Sequence, residues 1–331
     1  MSDSRKPKWR HKRKKGSIIY VIGVILALTL LALVALPLYV STLFLNQRFT
    51  QGQHDSIDYG IESERITLTT SDGIEIAAWR TYAANGDDEG EPTAPQHTKG
   101  TVIILSGIQN PSVTAFFSYA NMLSEHGWDT LLIEMRARGH SGGNSIGLGY
   151  TEWRDVQAGV EYLLEDESEV RELPIVVMGT SAGASTALLA AANIPEIDGV
   201  ISISGYTTFT DAYVDNAVHT GIPRFFADMS RPFMNVILGV QIGFEEMERK
   251  PIDAVENFAG RPLLLMHSTE DWQVPFTHFE ELKAAAEEAP VELSTFVREG
   301  DWHFVVYDQY KENPESDSEF AQEILSFLDQ F

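Results

Sequence analysis

Two segments of this chain match G-x-S-x-G, the pattern that lifts a serine hydroxyl out of a sharp strand-to-helix turn so that it can act as a nucleophile. They are Gly139-His140-Ser141-Gly142-Gly143 and Gly179-Thr180-Ser181-Ala182-Gly183. The turn needs a strand ending at the first glycine and a helix starting after the serine. "PIVVM" abuts Gly179, and "AGASTALLAAA" is rich in strong helix formers. Around Ser141 neither half is present: "TLLIE" stops at Glu134, and "GGNSIGLG" forms helix poorly. Ser181 is therefore the candidate nucleophile and Ser141 a loop residue. Gly179 and Gly183 leave room where such a turn presses strand against helix.

A serine hydroxyl is a weak nucleophile until a base takes its proton, and the base needs a third group to hold its tautomer. Downstream loops supply both. "PLLLMH" runs into Ser268-Thr269-Glu270-Asp271, and "ELSTFV" runs into Arg298-Glu299-Gly300-Asp301-Trp302-His303. His303 is the candidate base and Asp271 the candidate acid. Glu270 adjoins Asp271, and Asp211 follows the preceding strand, so each is an alternative carboxylate. His278 falls within "THFEELKAAA" and is expected on a helix side. Donors must already point to where negative charge develops on the attacked carbonyl oxygen. The backbone N–H groups of Ala182 and of Ile108, in the loop after "TVIIL", are the candidates.

These residues need a scaffold that gathers strand ends. "RITLTT", a Ser71-Asp72-Gly73 turn and "IEIAAWRTY" read as an antiparallel pair. "NGDDEGEPTAPQ" reads as a polar surface loop. The strands "TVIIL", "DTLLIE", "PIVVM", "GVISIS", "PLLLMH" and "ELSTFV" then alternate with helical stretches, the last from Glu315 to Phe331. Asn110 and Pro111 offer an N-cap and first-turn pair for the helix through "FFSYANMLSEHG". Strand and helix alternating in this way predict a mostly parallel sheet covered on both faces. Residues 205–260 are too long for an ordinary connection and predict extra helices over the sheet's carboxyl edge. That stretch is dense in apolar side chains, among them Phe225, Phe226 and Phe233. They are candidates, with Trp302 beside the base, for walls of an acyl pocket.

The start of the chain is of another kind. Residues 1–16 carry eight Lys or Arg and one Asp, and Ser17 to Leu45 carries no formal charge. That run exceeds the roughly 20 residues needed to cross a bilayer and the roughly 7 to 15 of a signal-peptide core. An uncleaved anchor is expected, its basic tail (1–16) cytoplasmic and the remainder outside. A linker over 46–63 and a catalytic domain over 64–331 follow. Without the tail the chain holds 16 Lys plus Arg against 47 Asp plus Glu, a formal charge of −31. Such a surface repels polyanions and argues against nucleic acid as a partner. The absence of cysteine excludes disulfides, thiolate nucleophiles and Cys-ligated metals. The nine histidines show no tight metal-ligand spacing, and neither metal nor cofactor is implied.

With "ITLTTSDGIEIAAW", "LSGIQN", "EMRARGHSGG", "GTSAG", "HSTEDWQVP" and "DWHF" in this order, the chain resembles the α/β-hydrolase superfamily over about residues 58–331. The likeness is to the branch of small serine esterases, lipases and thioesterase-like enzymes with membrane-anchored members. It implies Ser181 as nucleophile, Asp271 as acid, His303 as base, Ile108 and Ala182 as oxyanion donors, and a structural task for the Ser141 loop. From its length and apolar density, 205–260 reads either as a small helical lid forming the acyl pocket or as an insert whose apolar residues simply pack onto the sheet, and a small acyl ester or lipid-like molecule is the expected substrate. Three departures stand out: Ser106 for a usual His, Ser268 for a usual Gly, and Trp302 where Gly is common. Ester or thioester hydrolysis through an acyl-enzyme is the leading expectation. A prolyl-oligopeptidase-like peptidase, whose relatives typically carry a large N-terminal β-domain, comes second. A non-catalytic surface protein on the same scaffold comes third.

Overall fold

In the computed structural model, residues 10–46, 53–84, 98–110, 112–165 and 172–331 are described. The β-branched runs pair into an eight-stranded sheet of β1 (Glu64–Thr69), β2 (Glu75–Thr81), β3 (Thr101–Leu105), β4 (Asp129–Ile133), β5 (Ile175–Thr180), β6 (Gly199–Ile203), β7 (Pro262–Ser268) and β8 (Glu292–Arg298). The order is β1-β2-β4-β3-β5-β6-β7-β8, antiparallel at β1/β2 and β2/β4 and parallel elsewhere. The β1–β2 turn closes through Gly73, whose N–H donates to Thr70 O at 2.8 Å and whose φ of 81° favours glycine. From β3 the chain builds first toward β4 and then, on the other side, toward β5. That switch opens a crevice beyond the carboxyl ends of β3 and β5, where open α/β sheets bind ligands.

Alternate residues of each buried strand face opposite helical layers. Val102, Ile104, Val176 and Ile201 pack with Phe117 of α2 (Phe117–Glu125) and Phe320 of α10 (Ser318–Leu328). Ile103, Leu105, Val177 and Val200 share the other core with α3 (Trp153–Glu165), α4 (Ala182–Asn193), α5 (Phe209–His219) and α9 (Thr277–Glu288). Between β6 and β7 lie α5, α6 (Arg224–Gln241), α7 (Phe244–Glu248) and α8 (Pro251–Ala254), the helices expected over 205–260.

The chain opens with α1 (Arg10–Leu45), within which Ser17–Leu45 is long and apolar enough to cross a membrane. Its far end is part of the globule. Leu33, Pro37, Ser41 and Leu45 are buried along one stripe, α6 packs along α1, and Ile146 N–H donates to Leu45 O at 3.0 Å.

Some local expectations are corrected. Ser112, not Asn110, caps the entry to α2: its hydroxyl accepts from Thr114 N–H at 3.1 Å and starts a 3-10 turn over Val113–Phe116. Pro111 lies outside the described residues, as do 85–97, which hold the acidic loop, and 1–9 of the basic tail. The last helix begins at Ser318 rather than Glu315, because the Asp317 carboxylate caps it by accepting from Phe320 N–H. Within the expected linker, 47–52 lie outside the described residues, but Ser56–Tyr59 forms a 3-10 turn capped by Asp55.

Candidate active site

The turn from β5 into α4 is a sharp elbow. Ser181 stands at its apex with φ 57° and ψ −118°, a region a residue with a Cβ rarely adopts. The turn is held because Ser181 N–H donates to Ile203 O at 2.8 Å while Ser181 O accepts from Ser185 N–H at 3.1 Å. The flanking glycines are obligatory for packing. A Cβ on Gly179 would stand 2.1 Å from Gly183 O, and one on Gly183 would stand 2.6 Å from Leu105 O.

Two further loops meet the elbow. Asp271, just past β7, is buried, and its Oδ2 lies 2.7 Å from His303 Nδ1 in the loop after β8. Its Oδ1 accepts from the N–H groups of Gln273 at 2.9 Å and Val274 at 3.1 Å. Burial alone would raise this carboxyl, but the His303 contact and the Val274 N–H outweigh it and hold it below the usual carboxylate range. An ionised carboxylate at this position favours the His303 tautomer that carries its proton on Nδ1. Ser181 and His303 line one cavity of about 220 Å³ with Gly107, Ile108, Gln109 and Asn110. Among the described residues no hydrogen bond joins Ser181 to His303, as is common before substrate closes such a contact.

The loop after β3 brings Ile108 to the same cavity. Asn110 Oδ1 accepts from Gly107 N–H at 3.0 Å and closes the turn, while Arg138 donates to Ile108 O. Ala182 opens α4, so its N–H belongs to the helix start that ordinary helical bonding leaves unpaired and that favours negative charge.

The competing residues have other engagements. Ser141 is buried: its hydroxyl donates to Glu134 O and accepts from Ala77 N–H at 2.9 Å, stitching its loop to the start of β2. Arg136 of the same loop bridges Asp155 at 2.7 Å and Asp72 at 2.7 Å. Glu270 is exposed. Asp211 pairs with Arg231 on the rim of a separate cavity of about 480 Å³, the largest of those described and lined by none of Ser181, Asp271 and His303. His278 is buried on α9 against Thr207 Oγ1 at 2.9 Å, and burial lowers its pKa to about 4.

The pocket walls differ from expectation. A second cavity at Ser181, about 140 Å³, is lined by Ile108, Tyr206, Phe209, Tyr213 and Val274 and, from the end of α1, by Val40 and Phe44. Phe225, Phe226, Phe233 and Trp302 line neither cavity at Ser181. Phe225 and Phe226 lie exposed near the start of α6, edge to face at 5.4 Å. Trp302 turns aside, bonding Glu299 O at 3.1 Å and packing on Tyr307.

Sequence reasoning missed three contributors. Ser268 Oγ donates to Trp302 O and accepts from Trp302 N–H, both at 3.0 Å, so it clamps the residue beside His303. His267 Nε2 lies 3.7 Å from Asp271 Oδ2 and 2.8 Å from Val274 O, neutral because burial lowers its pKa to about 4. Its signal was a histidine at a strand end four residues before the acid. The wall built from α1 had no signal, because an apolar run reads alike whether it faces lipid or protein.

The strand order, the elbow and the crevice define an α/β-hydrolase, and the chain is a serine hydrolase by superfamily. The chain belongs to the prolyl oligopeptidase family, whose model matches residues 144–330. It is similar in fold to an esterase from Pyrococcus furiosus, with a TM-score of 0.66 and 20% identity over 87% of this chain and 98% of the esterase. It is also similar to an acylaminoacyl peptidase from Pyrococcus horikoshii, with a TM-score of 0.58 and 16% identity over 81% of this chain and 41% of that one. In sequence it is 29% identical to the uncharacterized protein YqkD of Bacillus subtilis over 63% of this chain and 68% of YqkD.

Proposed function

We propose that the protein is a membrane-anchored ester or thioester hydrolase using Ser181 as nucleophile, His303 as base and Asp271 as the acid that orients it. His303 Nε2 takes the Ser181 proton as Oγ attacks the acyl carbon, and the carbonyl electron pair moves onto oxygen. The N–H groups of Ile108 and Ala182 receive that oxyanion. Collapse expels the alcohol or thiol, which leaves with the proton from His303, and an acyl-Ser181 ester remains. Water, deprotonated by His303, attacks that ester through the same oxyanion, and collapse breaks the bond to Ser181 Oγ, which takes the proton back from His303 as the carboxylic acid is released.

One observation favours an acyl chain over a peptide: the 140 Å³ cavity beside Ser181 is lined by no charged side chain and mainly by apolar ones. An acyl chain needs apolar burial, whereas a peptide brings backbone donors and acceptors that must be satisfied. The likeness to the acylaminoacyl peptidase favours amide cleavage as a second reading. The charge asymmetry of the chain's start supports a cytoplasmic tail and an extracytoplasmic catalytic domain. A fluorophosphonate probe should label the full-length protein but not Ser181→Ala, and a panel of acyl esters, thioesters and acylated dipeptides should be cleaved best as esters. Faster cleavage of the dipeptides would replace the ester reading with the peptidase one, and labelling that survives Ser181→Ala would remove Ser181 as nucleophile.

A further inference from the structure

The anchor is more than a tether. An uncharged helix of 29 residues is about 43 Å long, against about 30 Å of hydrocarbon, so roughly nine residues are left over. With the basic tail held outside the bilayer at the other end, the surplus falls on the last turns of α1. These are the turns that enter the globule: Ser41 and Leu45 are buried, Phe44 packs edge to face on Phe209 at 5.7 Å, and Val40 and Phe44 wall the cavity at Ser181. The cavity therefore opens within a few residues of the hydrocarbon boundary.

α6 carries the same geometry toward the lipid. Gln241, at its end, reaches Thr42 Oγ1 at 3.5 Å, and the buried stripe of α1 continues back to Leu33. An 18-residue helix is about 27 Å long, and Leu33 lies about 14 Å before Thr42, so the start of α6 is carried level with the membrane-spanning part of α1. One face of that start is apolar and exposed, with Phe225 69% accessible, followed by Phe226 and Met229, and the stripe continues through Val236 and Val240; the charges beside it are paired, Arg224 with Asp215 and Arg231 with Asp211 and Asp228. Ala227, Met234 and Leu238 occupy the opposite, buried face. Exposed apolar surface of this extent, beside a helix long and apolar enough to span a bilayer, suits contact with lipid.

We infer that the tip of α6 is immersed in the leaflet beside the anchor, and that the substrate is an acyl ester of a membrane lipid whose chain passes from that leaflet between α1 and α5 to Ser181. This rests on the hydrolase reading above for its chemistry and on the span for its placement. The full-length protein, reconstituted in phosphatidylcholine vesicles, tests both halves separately. The chain has no cysteine, so a polarity-sensitive fluorophore placed at Phe225→Cys reports one site alone. Lipid bearing a nitroxide high on its acyl chain should quench it several-fold more than the same label at Gln322→Cys, on the helical layer across the sheet. The variant Phe225→Ser/Phe226→Ser/Met229→Ser should lose at least tenfold in turnover of vesicle phosphatidylcholine while hydrolysing a water-soluble short-chain ester as before. A label at 225 quenched no more than the one at 322, or vesicle turnover unchanged in the triple variant, overturns the inference. Loss of both esterase activities in the unmutated protein, with the label at 225 still quenched, removes the hydrolase reading and the lipid-ester substrate but leaves the immersed helix standing.

Discussion

The two G-x-S-x-G segments share a pattern and nothing else. At 179–183 the serine sits at φ 57° between a strand and a helix, lining a cavity with a histidine. At 139–143 the serine lies in a loop, and both its donor and an acceptor position are used by the backbone of neighbouring strands. A hydroxyl already donating to a buried carbonyl has no proton path to a base. The difference teaches that nucleophilicity is a property of what the turn leaves unbonded, which five letters do not encode.

The largest separation between the two should come from removing each hydroxyl. Ser181→Ala should lower ester turnover by at least about a thousandfold, since a triad acts as a unit. Ser141→Ala should leave probe labelling intact and instead cost about 1 to 3 kcal/mol, because it strands the buried Ala77 N–H. Denaturant unfolding and kcat/KM on the same preparations check both. A stable Ser141→Ala protein without activity would overturn the contrast.

Next in size is the acid. Asp271→Asn keeps the shape but offers His303 the wrong tautomer, with an expected loss of up to about 10⁴-fold in kcat. Glu270→Gln, at an exposed neighbour, should change it by less than about threefold. Steady-state kinetics of the two variants decides; equal losses would mean that Asp271 is not the orienting acid.

How much of this was legible follows from where each signal lies. The elbow at Ser181 and the loop positions of Asp271 and His303 were readable because apolar runs mark the strand ends that these residues follow. The Ser112 cap and the Asp317 start of α10 were misplaced by a turn or less, since several small polar residues compete at each helix entry. The pocket walls were misassigned more seriously. Phe225 and Phe233 carry the expected apolar character, but no residue of α6 lines either cavity at Ser181; Val40 and Phe44 of α1, distant in sequence, supply that wall.

Acid should set the two regions apart more gently. His267 and His278, both on the Ser181 side, are held neutral with pKa values lowered to about 4 by burial, against an unfolded value near 6.5. Above about 6.5 neither state takes up a proton and stability is unaffected. As the pH falls from about 6.5 to about 4 the unfolded chain binds protons first, so stability is lost through that window. Hydrogen exchange should show 267–278 loosening across it while the Ser141 loop stays protected. Simultaneous loosening of both regions would show that acid acts elsewhere.

A smaller loss than that of Asp271→Asn is expected at Ser268, where the resemblance leads one to expect glycine. Its hydroxyl holds both the N–H and the carbonyl of Trp302, the residue before His303, at 3.0 Å, and so joins the end of β7 to the loop that carries His303. In the Ser141 loop the corresponding clamp is the motif's own serine, whose hydroxyl joins Glu134 O to Ala77 N–H. Ser268→Ala removes two neutral hydrogen bonds of about 1 kcal/mol each without touching Asp271 or His303. The His303 ring should then sample misaligned positions, lowering kcat about three- to tenfold with KM unchanged, while Ser268→Thr, which keeps the hydroxyl, should recover most of the loss. The fluorophosphonate rate should fall in parallel, since it too requires the base. If Ser268→Ala raised KM and left kcat alone, the hydroxyl would be shaping the pocket rather than positioning His303.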